Sequence, residues 1–421
     1  MYPTPDATPW TWQERYHCFL AVLATAIFFT DLDTYVYWAA VSPLPPITWI
    51  YLFCVLALPL ILASPYRCLS KPLMIWGAGY LLLSLGAYVT FGTGNELEVQ
   101  ELRTRFLSTI FIVVMMAIFS SQSRVHRWVR WTIVIATCMA VFNNILGASD
   151  PMLFGDSGVV GRAGGFYVNP NKAGMALMLG IVFGTGVLPG GLRIPFILAC
   201  GVGVLLTFSR GAMLIWILLV GWMLFRNQIP HRHGIGWFTS LMVAGLFTGL
   251  QGEEIIRNFN LPPQLIERLE WFKNPLENKG DSEGSSGARQ EMAENAWDMF
   301  LQRPFTGHGV GSTITWSFPI STHNMYLANM ADHGLVGALL LPGLTLAVVW
   351  GAKGMAQRLV PALSVTMLIW GIFSHNLLDE RYILLCFALM GSMTIASQAT
   401  ELSQVKSEPD YSLLPTQEYH D

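Results

Sequence analysis

A succession of about twelve apolar stretches of near-bilayer length is the feature that most constrains this chain of 421 residues. A helix needs roughly 17–25 mostly apolar residues to span a bilayer. Only 12% of the residues are charged, whereas soluble proteins carry about a quarter, so the sequence predicts an all-α polytopic membrane protein. The stretches are Tyr16–Phe29, Leu44–Ala63, Leu73–Phe91, Phe106–Ser120, Trp128–Leu146, Ala173–Leu188, Ile194–Phe208, Ala212–Phe225, Gly236–Leu250, Leu335–Trp350, Pro361–His375 and Tyr382–Ala396.

The charges between these stretches predict the orientation of the chain, because cytoplasmic loops gather Lys and Arg. With the N-terminus inside, every inner loop is basic and the first outer loops are acidic, so both termini are expected in the cytoplasm. The inner residues are Arg67, Lys71, Arg124, Arg127, Arg130, Arg193, Arg226, Arg232, Lys353 and Arg358.

The chain divides into four parts on this topology. Residues 1–250 form a membrane domain with the first nine predicted spans, and residues 251–333 form one large outward-facing loop. Residues 334–398 hold the last three spans, and residues 399–421 form a cytoplasmic tail. Within the loop, the apolar residues between Ala288 and Arg303 recur at helical spacing opposite acidic ones, which predicts an amphipathic helix.

Ionisable residues are absent from the middle of the predicted spans, where a pump or an ion-coupled transporter needs them. The charges sit at the span ends, several of which face outward beside the large loop. This placement favours a catalytic cleft open to the outer leaflet over a conduction path. The net charge of −3 gives no reason to expect nucleic acid as a partner, and no cysteine pattern suggests a zinc site.

Arg210 lies in the very short connection from Thr207 to Ala212, which pins it at the outer membrane surface. One interpretation is an arginine that extends to lipid headgroups, and the other is a guanidinium that binds a phosphate through two donors. Arg289 opens the amphipathic helix and could reach the same cleft, or it could simply pair with Glu291 or Glu294 on the helix surface.

His323 lies where the large loop returns to the membrane, and a histidine can accept a proton near neutral pH. His308 and His333 compete for such a role, and a lone histidine can also be an ordinary hydrogen-bonded residue. Asn169 and Pro170 indicate a helix start, whose Lys172 could touch an anionic headgroup. The glycine-rich run from Gly307 to Gly311 is interpreted as a tight turn, since no strand precedes it.

These residues resemble the O-antigen ligases, within the wider group of O-antigen ligases, O-antigen polymerases and protein O-oligosaccharyltransferases. One motif is Arg210 followed after three residues by Leu214. The other is His323-Asn324 followed after nine residues by Gly334 and after two more by Gly337. The number of spans, with one large loop late in the chain, is similar over almost the whole length.

The resemblance implies a bacterial inner-membrane glycosyltransferase of the GT-C type, with a periplasmic loop and an active site at the periplasmic face. Such enzymes move a glycan from undecaprenyl pyrophosphate, and a ligase passes it to a sugar hydroxyl of the lipid A core. No metal and no other cofactor is implied. In this interpretation His323 takes the acceptor proton in an inverting displacement, while Arg210 and Arg289 bind the pyrophosphate.

Weaker candidates and alternatives accompany this interpretation. An O-antigen polymerase or a protein O-oligosaccharyltransferase would use the same donor with another acceptor, and a transporter of lipid-linked glycans is an alternative of a different class. The weaker candidates for substrate contacts are Asn324, Lys172, Arg162, Arg103 and Arg105.

Overall fold

A computed structural model describes residues 9–63, 70–119, 122–150, 152–154, 162–229, 236, 285–316, 318 and 322–407. Within these residues the regular elements are helices. They are α1 Trp12–Phe29, α2 Leu32–Trp38, α3 Pro46–Ala63, α4 Lys71–Phe91, α5 Glu96–Phe119, α6 Ser123–Ser149, α7 Pro170–Gly184, α8 Gly190–Thr207, α9 Arg210–Phe225, α10 Ser285–Gln302, α11 Met325–His333, α12 Leu340–Val349, α13 Gly354–Phe373 and α14 Arg381–Ser407.

Several of these helices begin at residues whose side chains cap the first turn. Asn169 accepts a hydrogen bond from the Asn171 amide at 2.8 Å, and Pro170 is the first residue of α7, so the helix start predicted there is confirmed. In the same way, Asn324 accepts from the Leu327 amide at 3.2 Å and starts α11. The caps therefore fix where the chain enters two helices that border the candidate site.

Eight helical units in the described part of the chain are long and apolar enough to cross a membrane, or nine if the pair α1 and α2, bent by 50°, counts as one span. Eleven of the twelve predicted stretches coincide with described helices, and of the twelfth only Gly236 lies within the described residues. The polytopic all-α class is thus confirmed, while the number twelve stays a prediction. The amphipathic helix predicted between Ala288 and Arg303 is confirmed as α10.

One span begins earlier than the apolar pattern predicts. Met325–Val349, which comprises α11, a 3₁₀ turn at Gly334–Leu339 and α12, forms a single unit of bilayer length. The predicted boundary between residues 333 and 334 falls inside it. The pattern excluded α11 because Asp332 and His333 are polar, but both are buried among hydrogen-bonding partners there.

Helix α14 passes through the centre of the bundle, and the nine side chains from Tyr382 to Met390 are each at most 1% exposed. Burial on all sides fixes the height of α14, and hence the position of the turn at residues 374–380 that precedes it. Around it, Phe28 packs edge to face with Phe53 and Phe111, with ring centroids 5.1 and 4.9 Å away.

The ends of four helices meet on one side of this core. A β-carbon added at Gly174 near the start of α7 would lie 2.8 Å from Ala212 Cβ near the start of α9. One added at Gly211 would lie 2.9 Å from Phe373 at the end of α13, and one at Gly371 would lie 3.0 Å from Tyr326 in α11. The starts of α7, α9 and α11 and the end of α13 therefore share one end of the bundle.

Candidate active site

Arg210 is the first residue of α9 and lies at this shared end with an exposed side chain. Phe208, two residues earlier, has a left-handed φ of 49°, which turns the chain sharply between α8 and α9. The short connection thus places Arg210 at this end of the bundle, and its placement at the outer membrane surface stays a prediction. Its charge is felt by Arg289, since the two guanidinium groups repel each other.

Arg289 lies on the face of α10 that packs on the bundle. Met292, Ala296 and Phe300 follow it at helical spacing and are buried. Arg289 itself is half-buried, and it forms no ion pair with a carboxylate in the described residues. Burial, and then the repulsion from Arg210, lower its pKa. Glu291 and Glu294 are exposed on another face of α10, so the surface-pair interpretation finds no support.

His323 stands directly before the cap residue of α11, with a left-handed φ of 49°. A small turn holds this conformation: the Thr322 hydroxyl donates to the Asn324 carbonyl at 3.0 Å and accepts from the Asn324 amide at 3.3 Å. The imidazole is half-buried. Burial lowers its pKa below the ordinary 6.5, and the positive charge of Arg289 lowers it further, so the neutral form is favoured.

His375 is a second histidine at this point, and the sequence did not mark it as a candidate. Its ring packs edge to face against that of His323, with centroids 5.5 Å apart and planes at 79°. Burial, and then the charge of His323, lower its pKa to about 4. Its Nδ1 is buried and has no hydrogen-bond partner among the described residues. The only sequence signal was a polar residue closing an apolar stretch.

The four side chains form a series in which each affects the next: Arg210 acts on Arg289, Arg289 on His323, and His323 on His375. They come from α9, α10, the start of α11 and the turn after α13. The structure therefore brings together Arg210, Arg289 and His323, the three residues that the sequence ranked first. In such an arrangement, two guanidinium groups can bind an anionic phosphate. The neutral imidazole beside them can accept a proton from a nearby hydroxyl.

Lys172 lies close to this site but is neutralised by carboxylates. Its Nζ is 2.9 Å from Glu380 Oε1 and 3.9 Å from Asp31 Oδ2, at the end of the turn that carries His375. Asn376 in the same turn donates to Glu380 at 2.6 Å. The lysine thus braces this turn against the starts of α2 and α7, which makes it a weaker candidate for a substrate contact.

Asp31 and Asp33 are two carboxylates at a spacing that could hold a divalent cation. In the structure their partners are cationic side chains: Arg381 Nε lies 2.7 Å from Asp33 Oδ2, and Arg381 Nη2 lies 3.7 Å from Asp31 Oδ1. Across the described residues, no group of three or more His, Cys, Asp or Glu side chains has the arrangement of a metal site.

Arg105 is one of the weaker candidates, and the structure gives it a different role. It is 3% exposed and its guanidinium forms an ion pair with Asp332, bonds His333 Nε2 at 2.6 Å and bonds Glu101 at 2.9 Å. With all these partners inside the protein, Arg105 anchors α5 to α11. His333, one of the competing histidines, belongs to the same buried anchor.

Asp332 also holds the glycine-rich turn. Its carboxylate accepts from the amides of Gly311 and Ser312 at 3.1 and 2.9 Å. Gly307, Gly309 and Gly311 all have positive φ, so the interpretation as a tight turn is confirmed. The amides of this turn bind a carboxylate of the protein's own α11.

The remaining weaker candidates, Arg162, Arg103 and Asn324, each form hydrogen bonds with neighbouring residues. Arg162 donates to the Thr207 carbonyl and to Asn171 Oδ1, both at 2.7 Å, next to the start of α9. Arg103 is exposed and donates to the Tyr51 hydroxyl at 3.2 Å, which places it on the α3 side of the bundle. Asn324 uses its side-chain oxygen as the cap of α11, so it supports His323 through the backbone.

The two motif glycines shape the break between α11 and α12. Gly334 has φ 66°, and a β-carbon on it would lie 2.6 Å from the Pro304 carbonyl oxygen and the Phe305 carbonyl carbon. A β-carbon on Gly337 would overlap the Asn329 carbonyl oxygen. The two glycines of the histidine motif thus lie where neighbouring backbone comes too close for a side chain.

Residues 195–342 match the sequence profile of a family described as O-antigen ligase. The match covers fewer than half of the 421 residues, and over this stretch the chain is similar to that family. The matched stretch contains Arg210, Arg289, His323 and both motif glycines, so the resemblance seen in the sequence is confirmed. The match and the apolar helices support a multi-pass membrane protein, and the matched family suggests an enzyme of the O-antigen ligase and polymerase type, which transfers glycosyl groups. No match was found among curated proteins.

Proposed function

We propose that this chain is an O-antigen ligase that transfers O-antigen glycan from undecaprenyl pyrophosphate to a sugar hydroxyl of the lipid A core. The observation that carries the proposal is the meeting of Arg210, Arg289 and His323 at one end of the helical bundle. A lipid-linked glycan and a lipid acceptor are the substrate classes of the family in general. We propose the lipid A core as the acceptor, the periplasmic side of the membrane as the location of the site, and the roles of the three residues given below.

The reaction is a single displacement at the anomeric carbon of the donor. The acceptor oxygen forms a bond to that carbon while the bond from the carbon to the pyrophosphate oxygen breaks, and its electron pair leaves with undecaprenyl pyrophosphate. His323 takes the hydroxyl proton, and such general-base assistance is worth about 10²–10⁴ in rate. A single displacement inverts the configuration of the sugar.

Electrostatics support this division of roles. Burial and Arg289 lower the pKa of His323, so the imidazole is a free base at neutral pH. The same arrangement leaves Arg289 half-buried and without a carboxylate partner in the described residues, so its charge is available to an incoming anion. The arginines stabilise the leaving pyrophosphate, and no metal or other cofactor takes part in this mechanism.

The topology of the proposal follows from the loop charges. Both termini lie in the cytoplasm, and the end of the bundle with His323 faces the periplasm of a bacterial inner membrane. The proposed division is a membrane domain at residues 1–250, a periplasmic loop from residue 251 to the start of the span Met325–Val349, two further spans at Gly354–Phe373 and Arg381–Ala399, and a tail after the last span. The enzyme belongs to the GT-C type in this proposal.

Two other activities of the same donor chemistry are the nearest competitors. A polymerase would pass the glycan to another lipid-linked glycan, and a protein O-oligosaccharyltransferase would pass it to a Ser or Thr hydroxyl. The histidine motif, with Gly334 and Gly337 at the ligase spacing, favours the ligase. A transporter of lipid-linked glycans would not need an imidazole kept neutral beside two arginines.

A competition between acceptors tests the proposed function. The purified chain in vesicles is given undecaprenyl pyrophosphate-linked glycan together with rough lipopolysaccharide and a Ser-containing peptide, without added metal. Mass spectrometry then shows which molecule has gained the glycan. We expect the gain on the lipid A core. Extension of the lipid-linked glycan itself would establish a polymerase, and a glycosylated peptide would establish the protein-directed enzyme.

A further inference from the structure

Helix α10 presents three distinct faces, and one of them is apolar but not packed on the bundle. Met292, Ala296 and Phe300 face the bundle, and the acidic residues Glu291, Glu294 and Asp298 are exposed on the far side. Between these two faces lie Trp297 and Leu301, one helical turn apart. A helix that only rested on the protein in water would not need this third, exposed apolar face.

The apolar face continues onto the next segment of the structure. Phe305 follows shortly after α10, and the Leu335 amide donates to the carbonyl of the adjacent Pro304 at 2.7 Å. We call this surface the α10 leaflet face; it consists of Trp297, Leu301, Phe305, Leu335, Val336 and Leu339. These six side chains are between 44% and 82% exposed.

Two contacts give the height of this face relative to the membrane. Leu340, directly after Leu339, accepts a hydrogen bond at 2.9 Å from the Trp76 indole, which belongs to the span α4. Arg303 lies over the ring of Phe91, the last residue of that span, at 5.4 Å from the ring centroid. The α10 leaflet face therefore extends from the end of the α4 span, at Phe91, to the depth of Trp76 within the same span.

We propose that the α10 leaflet face is immersed in the hydrocarbon of the leaflet on the side of the candidate site, where lipid acyl chains cover it. Six exposed large apolar side chains in one surface would be unfavourable in water, and this surface joins that of a membrane span. The acidic face of α10 then points to the aqueous side. Helix α10 lies at the boundary as an interfacial helix.

This immersion has a consequence for the site. Arg289 lies on the bundle face of the same helix, so the leaflet holds α10 against the bundle from outside while Met292, Ala296 and Phe300 hold it from inside. Lipid packing against α10 thus helps to fix the position of Arg289. A donor whose lipid tail lies in the same leaflet would pass along this face to reach the arginine, which is a step that rests on the proposed function.

Photocrosslinking tests the immersion without any use of activity. Leu301 is replaced with p-benzoylphenylalanine, and the protein is irradiated in vesicles of phosphatidylethanolamine and phosphatidylglycerol. The matched control carries the same probe at Asp298, on the acidic face of the same helix. We expect lipid adducts at position 301 at least about tenfold above those at position 298, as measured by mass spectrometry of the digested protein.

A second probe position keeps the test decisive if the Leu301 replacement does not fold. Phe305 is 82% exposed and can carry the same probe with little effect on packing. Equal lipid adducts at the apolar and acidic positions would overturn the proposal. So would crosslinks from 301 or 305 to another segment of this chain or to a second copy, because the face would then be a protein interface. Each of these outcomes leaves the proposed transfer reaction untouched.

Discussion

His323 depends on neighbours of two kinds, a charged one and an aromatic one. Arg289 acts through space on its protonation, whereas His375 packs its ring against the imidazole at a centroid distance of 5.5 Å. The backbone of His323 is in the left-handed region, so the residue occupies a conformation that the surrounding turn must hold. We infer that His375 keeps the imidazole in the orientation in which it meets the acceptor.

Replacement of His375 tests this positioning role. His375→Ala removes the ring that packs against the His323 imidazole. We expect kcat to fall about 10- to 100-fold with little change in KM for the donor, because a misoriented imidazole affects the chemical step. His375→Phe keeps an aromatic ring and should retain most of the activity. The measurement is steady-state transfer kinetics of the reconstituted protein.

The paired variants separate ring packing from the nitrogen atoms of His375. If Phe is as inactive as Ala, the nitrogen atoms matter and the positioning account is wrong. If Ala turns over at the normal rate, His375 has no role in the reaction. An equal rise in KM for both variants would indicate a role in donor binding instead.

Sequence alone could place some of these side chains and not others. Arg210 was predictable because a connection of a few residues between apolar stretches leaves it no other place than the membrane surface. Arg105 was not, because its partners Asp332 and His333 come from more than 220 positions later in the chain. His375 was missed for the same reason, since its significance arises only when the turn after α13 meets the start of α11.

Helix α11 carries His323 directly before its cap residue, so the contacts that fix α11 also fix the position of His323. The short helix α11 is held at both ends, by the Asn324 cap at its start and by the buried pair of Asp332 with Arg105 at its end. Gly337 lies beneath it, where no side chain fits against the Asn329 carbonyl. The glycines of the histidine motif are therefore required for close packing of the backbone, in addition to any chemical role of His323.

Gly337→Ala should destabilise the protein, because its β-carbon would displace the backbone of α11. Overpacking of this kind typically costs about 1–3 kcal/mol, and we expect a lower thermal unfolding temperature in detergent together with reduced transfer. The matched control is Gly86→Ala in α4, where an added β-carbon meets no atom within 4 Å. Similar melting curves for the two variants would contradict the packing role of Gly337.

The prediction of elements succeeded where a segment is uniformly apolar and failed where polar residues are buried within a span. The stretches of α3, α4 and α8 were recognisable from hydropathy alone. The unit Met325–Val349 was cut short at Leu335, because Asn329, Asp332 and His333 looked like loop residues. Asp332 and His333 are buried with hydrogen-bonding partners on α5 and, for Asp332, in the glycine-rich turn, and a local pattern does not show these partners.

The buried helix α14 fixes the turn that precedes it at the end of the bundle where Arg210, Arg289 and His323 lie. The turn before it carries His375 and Glu380, and Glu380 ties this turn to Lys172 on α7. Arg381 ties the start of α14 to Asp33 on α2. Charged residues at this end thus fix the helices to one another, and Arg210 and Arg289 lie at the same end.

In the proposed mechanism, His323, Arg210 and Arg289 form one pocket that binds the donor pyrophosphate and deprotonates the acceptor. Donor binding and glycan transfer, measured side by side for His323→Ala in vesicles with His308→Ala as the control, test this mechanism. His308 bonds the Met299 carbonyl at 2.7 Å and lies outside the pocket.

We predict that His323→Ala still binds the lipid-linked donor with near-normal affinity but loses transfer to the lipid A core by at least about 100-fold, since only the base is missing. His308→Ala should retain transfer. Normal transfer by His323→Ala would contradict the account.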